Sequence, residues 1–99
     1  MSLTLPESEI IQKVTAIISE ALRVKPEKIL PQSKLFSDLG SESLDILDIR
    51  FRLEKAFNIK IEDGEIISSL GQNLTNQQID ELFTVENTVR FVQYKLMQI

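Results

Sequence analysis

From position 7 the apolar residues fall at Ile10, Ile11, Val14, Ile17, Ile18, Ala21 and Leu22, the i, i+3, i+4, i+7 spacing of an amphipathic helix that ends near Arg23. Pro26 and Pro31 then disfavour helix. Residues 24–39 therefore read as a long connection, held down by Ile29, Leu30, Leu35 and Phe36 and closed by Gly40. Periodicity resumes at Ser43 and carries a second helix to Phe57, followed by Asn58 and a short extended piece over residues 59–61. Beyond Asp63 the pattern weakens. Gly64 and residues 65–70 suggest a short third helix, and SSLGQNLTN marks a turn-rich loop. Thr75 or Asn76 then caps a further short helix at 77–82, with Ile79, Leu82 and Phe83 as its apolar residues. A last helix over 85–97 sets Val85, Val89, Val92 and Leu96 on one face behind Thr84 as cap. With no internal repeat and no low-complexity tract, the pattern predicts an all-α bundle with one long loop between its first two helices.

The second helix has two apolar faces. Turned at about 100° per residue, Ile46, Ile49, Leu53, Ala56 and Phe57 cluster opposite Leu44 and form the expected core face. A narrower stripe holds Leu44, Leu47 and Phe51, with Asp45, Asp48, Arg52 and Lys55 beside it. A small bundle normally buries one stripe per helix. Either the long loop or the short third helix covers the second stripe, or it is an exposed docking surface rimmed by charge and starting beside Ser43.

Composition narrows the classes of function. The 99 residues suit one domain over 1–99, and 42% hydrophobic residues suffice for one modest core. The formal charge of −4, with Lys and Arg scattered, argues against nucleic-acid binding and favours basic partner surfaces. Cysteine and histidine are both absent, which excludes disulfides, thiolate metal sites and a cysteine nucleophile. The opening MSLTLPESEI lacks the basic flank and apolar run of a signal peptide. No later segment is long and apolar enough to span a bilayer, so the expectation is a cytoplasmic protein with no membrane insertion.

Ser43 stands at the mouth of the second helix, where two readings compete. A serine there is an ordinary cap, although Ser41 and Asp38 offer themselves for the same job. Alternatively it is a site of modification, since a helix start stabilises a phosphate through free N–H groups and the positive end of the macrodipole. Self-activation fails on inventory, because no histidine exists to form a Ser-His pair. Another protein would have to activate Ser43. Asp45 and Asp48 could be imagined as an acid/base or metal pair, but adjacent-turn carboxylates on an exposed helix are usually a solvated face. The chain is therefore not expected to be an enzyme.

The segment FSDLGSESLDILDIR resembles the attachment site of acyl carrier proteins, whose pattern runs roughly D-L-G-x-D-S-L-D. Asp38, Leu39, Gly40, Ser41, Glu42, Ser43, Leu44 and Asp45 stand at those positions. Val24, Pro26, Glu27 and Ile29 resemble the family's V-x-P-E-x-I, and Ser33, Phe36 and Asp38 continue it. Leu53, Glu54 and Phe57 resemble L-E-x-x-F, with Ile59 and Ile61 as the I-x-I that follows. Thr84, Val85, Val89, Phe91 and Val92 resemble the last helix. The resemblance spans most of the chain apart from about residues 65–83. It implies an acyl-carrier-like four-helix bundle, with a long loop between helices 1 and 2 and a short third helix. It also implies a monomeric carrier rather than a catalyst. Ser43 would bear 4′-phosphopantetheine, taken from coenzyme A inside a separate magnesium-dependent phosphopantetheinyl transferase. The arm's thiol would hold acyl groups for acyl-loading and acyl-processing enzymes of fatty-acid, polyketide or other specialised lipid pathways. Gly40 would let the backbone approach closely before the helix. Asp38, Glu42, Leu44, Asp45, Leu47, Asp48 and Phe51 would form the docking surface, and the apolar interior would accept a growing chain.

Three departures qualify the resemblance. Glu42 replaces the usual Asp, keeping charge but weakening a capping role. In the second helix Asp45, Asp48 and Glu54 are offset by Arg50, Arg52 and Lys55, whereas family members are typically acidic there. Residues 64–83 are longer than the family's third helix and linker, which reads simply as a tolerated surface insertion. The last two favour a specialised carrier with dedicated partners. Two rivals stand beside it. An aminoacyl or peptidyl carrier would favour a second glycine after Gly40, where Ser41 and Glu42 stand instead; an unmodified helical interaction module would keep the fold and the Leu44 stripe alone.

Overall fold

The computed structural model describes residues 5–98, so the first four residues of MSLTLPESEI lie outside it. Helix α1, Glu7–Leu22, starts directly after Pro6 with Glu7 and Glu9 against the positive end of its dipole, and stops where Arg23 turns left-handed at φ 57°. It buries Ile10, Val14, Ile17 and Ile18, while Ile11 lies outside the buried stripe. A single 3₁₀ turn, Pro26–Lys28, interrupts the long loop. Helix α2, Ser43–Phe57, ends at Asn58, which takes the left-handed conformation that asparagine tolerates. Helix α3 is short, Glu65–Ser68. Helix α4, Asn76–Leu82, carries a reciprocal cap: Thr75 Oγ1 accepts the Gln78 N–H at 3.1 Å, and Gln78 Oε1 accepts the Thr75 N–H at 2.8 Å. Helix α5, Val85–Met97, starts behind Thr84, whose hydroxyl accepts the Asn87 N–H. The described residues thus hold the expected all-α bundle, with the short helix of the 77–82 segment added to the four that the resemblance implies.

One hydrophobic core joins these elements, with α1 packed against both α2 and α5. Helix α2 contributes Ile49, Leu53 and Phe57, and α5 contributes Val85, Val89, Phe91 and Val92. Leu35, Ile59, Ile61, Ile66 and Phe83 enter from the connections and α3. Other residues of the apolar pattern also stay outside, Leu82 among them. Ala56 is exposed because it stands about 60° round the helix from Leu53, at the edge of the buried arc. Leu30 is 49% exposed, since the turn in which Ser33 Oγ accepts its N–H directs the side chain outward.

The long loop is fastened to the junction of α4 and α5 through backbone groups. Leu35 donates to Phe83 O at 3.0 Å, Val85 to Ser33 O at 3.0 Å, and Glu86 to Pro31 O at 2.8 Å. The rings of Phe36 and Phe83 meet edge to face at 5.4 Å, and Asp80 accepts the Ser37 N–H at 3.1 Å. Residues 64–83 are therefore not the simple surface insertion expected from sequence. Their C-terminal part holds the loop that leads to Ser43.

Candidate functional site

The approach to Ser43 is built from local hydrogen bonds. Asp38 accepts the Lys34 N–H at 2.8 Å, and Gly40 donates to Phe36 O at 3.0 Å. Ser41 is buried, with both its N–H and its hydroxyl given to Leu35 O, at 2.9 and 2.7 Å. Gly40 sits at φ +71°, and nothing lies within 4 Å of the place its Cβ would occupy. The close backbone approach expected there is absent, and the left-handed conformation is what calls for glycine.

The capping residue is none of the three candidates. Glu42 is the extended N-cap residue of α2, and its N–H is accepted by Asp45 Oδ2 at 2.8 Å. Ser41 is occupied by Leu35, and Asp38 by Lys34. Ser43 is the first residue of the helix, exposed, and among the described residues no hydrogen bond engages its hydroxyl. It stands at the positive end of a helix of 15 residues.

A cavity of about 200 Å³ opens beside Ser43, between α2 and the segment carrying α3. Ile46 and Leu47 line it from one side, Ile66 and Ile67 from the other, and Phe36 from the loop. The α3 wall is pinned in turn. Glu65 Oε1 accepts the Glu62 N–H at 2.8 Å, and Lys95 of α5 donates to Glu65 Oε2 at 2.9 Å. The hydrogen bond from Glu62, reinforced by the Lys95 ammonium and opposed by partial burial, holds the Glu65 carboxyl below the usual carboxylate range.

The second apolar stripe of α2 is open to solvent. Leu44 is 79% and Phe51 52% exposed, so neither the long loop nor α3 covers them, while Leu47, 39% exposed, also lines the cavity facing α3. The rim charges are partly engaged within the chain. Asp48 pairs with Arg52 at 3.1 Å, and Arg52 reaches Glu20 at 3.4 Å. Glu42 and Asp38 remain exposed at the Ser43 end. Asp45 and Asp48 thus have separate local partners, one a backbone N–H and the other a guanidinium.

A clamp unread in the sequence joins α2 to the α2–α3 connection. Arg50 Nε donates to Ile61 O at 2.9 Å, and Glu54 Oε2 accepts the Ile61 N–H at 2.8 Å. Two α2 side chains one turn apart therefore satisfy both backbone polar groups of one buried residue. The i, i+4 spacing of Arg50 and Glu54 is the only trace of this in the sequence.

Comparison with known proteins agrees with this geometry. A family model described as "Phosphopantetheine attachment site" matches residues 12–72, more than half of the chain. An acyl carrier protein of Thermosynechococcus vestitus is 32% identical over 90 residues, covering 91% of this chain and 95% of that protein. One from Thermotoga maritima is 32% identical over 88 residues, covering 89% and 93%. One from Guillardia theta is 43% identical over 68 residues, covering 67% and 84%. By fold, motif order and these similarities, the chain belongs to the acyl carrier protein family, whose phosphopantetheine-attachment domain carries 4′-phosphopantetheine covalently.

Proposed function

We propose that Ser43 is the residue that takes the phosphopantetheine arm, and that the chain acts as a carrier of acyl groups in fatty-acid, polyketide or related specialised biosynthesis. The observation that carries this reading is an exposed serine, without a hydrogen-bonding task among the described residues, at the start of α2 and beside an apolar cavity. The residues present fit the group. The α2 N-terminus favours the negative charge of a phosphodiester, the Gly40 turn leaves the approach open, and Ile46, Leu47, Ile66 and Ile67 offer apolar walls for cargo. When bound, the arm supplies a terminal thiol that holds acyl groups as thioesters, chemistry that a chain without cysteine lacks.

Ser43 Oγ would form its bond to the phosphate nearest the pantetheine of coenzyme A, while the pyrophosphate link breaks and the adenosine bisphosphate leaves. A phosphopantetheinyl transferase must accept the serine proton, since the chain has no histidine to do so. Helix α2 presents Leu44, Leu47 and Phe51 to that transferase and to acyl-processing enzymes, with Glu42, Asp38, Asp45 and Asp48 at the rim. In this reading the chain is not itself an enzyme.

The test is incubation with a broad-specificity transferase, magnesium and coenzyme A, read by intact mass. A single phosphopantetheine on the wild type and none on a folded Ser43→Ala is the expected result. Labelling at Ser41, or none with several transferases, overturns the proposal and favours an unmodified interaction module.

A further inference from the structure

The cavity beside Ser43 has a far end, and a cation forms it. Ser43, Leu47 and Arg50 stand at i, i+4 and i+7 of α2, so they share one face of the helix, and all three line the cavity. By helical rise the run from Ser43 to Arg50 is about 10 Å. Arg50 then leaves α2 and crosses to the opposite wall. Its Nε donates to Ile61 O at 2.9 Å, and its Nη1 lies 3.5 Å from Asp63 Oδ1. The side chain is only 20% exposed, and Ile61 is buried.

An acyl chain that slides along this face meets the guanidinium. To pass, it must pull Arg50 from Ile61, which leaves a buried carbonyl short of a donor and sets a cation against methylenes. The obstacle does not swing aside easily, because Glu54 holds the N–H of the same residue. Resting on the carrier reading of Ser43, we infer that Arg50 sets the depth of the cargo cavity, so that this protein shelters short acyl chains and leaves the distal methylenes of long ones in water.

The experiment loads the full chain with butanoyl-, octanoyl- or dodecanoyl-phosphopantetheine from the matching acyl-coenzyme A. Intact mass reads attachment, and two further measurements read shelter: protection of the thioester from hydroxylamine, and the rise in melting temperature. In the wild type both gains are expected to level off, with dodecanoyl no better protected than octanoyl. In Arg50→Met they are expected to go on rising. Each methylene newly withdrawn from water shifts the ratio of sheltered to exposed cargo roughly fourfold, so dodecanoyl protection is expected to exceed that of the wild type by about tenfold or more. Glu54→Gln, which removes a charge outside the cavity lining but keeps an amide oxygen to accept the Ile61 N–H, is expected to keep the wild-type plateau.

Continued gain from octanoyl to dodecanoyl in the wild type overturns the inference, as does an Arg50→Met series that matches the wild type, or a Glu54→Gln series that matches Arg50→Met. If Arg50→Met does not fold, the wild-type series decides by itself. Absence of any adduct by mass overturns the carrier reading together with this inference, whereas an adduct without a plateau overturns the inference alone.

Discussion

Leu44 and Leu53 allow the two faces of α2 to be compared with a single chemical change. They lie on opposite sides of one helix, so replacing each by alanine removes the same atoms and changes helix propensity equally. Leu53 is 0% exposed and Leu44 is 79% exposed. Leu53→Ala opens a cavity in the core and is expected to cost about 2–5 kcal/mol. Full burial of a leucine side chain contributes about 1.5–3 kcal/mol, and only about a fifth of Leu44 is withdrawn from water, so Leu44→Ala is expected to cost at most roughly 0.5 kcal/mol. For a chain of this size each kcal/mol moves the melting temperature by roughly 4–8 °C. Leu53→Ala is therefore expected to melt on the order of 10 °C or more below the wild type, and Leu44→Ala within about 4 °C of it.

Urea denaturation followed by far-UV circular dichroism gives both values, provided the slope is unchanged. The same two variants are then assayed with the transferase at a temperature where both are folded. Leu44→Ala is expected to lower kcat/KM, because an exposed apolar anchor contributes to an interface and not to the core. Leu53→Ala is expected to leave it near the wild-type value. Equal destabilisation by the two substitutions would refute the assignment of faces. A wild-type kcat/KM for Leu44→Ala would leave the stripe exposed but without a role in docking.

Two further outcomes follow from the charged groups. The Glu65 carboxyl titrates below its ordinary value of 4.5 in the folded chain, so its contribution to stability is present above that value and lost as pH falls through the lower, folded one. Comparing wild type with Glu65→Gln by urea denaturation across pH is expected to show a constant difference near neutrality that shrinks on acidification; a difference that grows with acid would refute it. Arg52 pairs only at the surface, where such bridges contribute about 0–1 kcal/mol, so Arg52→Glu is expected to remain folded. It is also expected to associate faster with basic partners, by a margin that salt removes; equal rates at low salt would refute this.

The regular helices were legible because their periodicity is a local property. Ile10, Val14, Ile17 and Ile18 announce α1, and Leu53 and Phe57 announce the buried face of α2. Periodicity gives a direction round a helix but not what stands there. Ala56 points near the core arc and finds no cover, while Ile11 follows the α1 pattern and still reaches solvent. The cap of α2 was illegible for another reason. Asp38, Ser41, Glu42 and Ser43 crowd the helix start, and only the backbone angles decide that Glu42 takes the cap and leaves the Ser43 hydroxyl aside. The Arg50 clamp was illegible because its acceptor is a main-chain carbonyl eleven residues away, which no side-chain identity records.

That clamp also changes the meaning of the mixed charge on α2. Arg50 and Glu54 are spent on Ile61, and Asp45 on the backbone of Glu42, so these three charges serve the fold before any partner arrives. Of the helix's cations, Arg52 and Lys55 flank the exposed stripe toward its far end, where Asp48 and Glu20 pair with Arg52. Asp38 and Glu42 stand at the other end, beside Ser43, exposed and negative. The exposed stripe is therefore acidic at the Ser43 end, whereas Asp48 and Glu20 largely offset the cations at its far end. Under the proposed docking role, basic partner residues match the Ser43 end and are expected to gain little near Lys55.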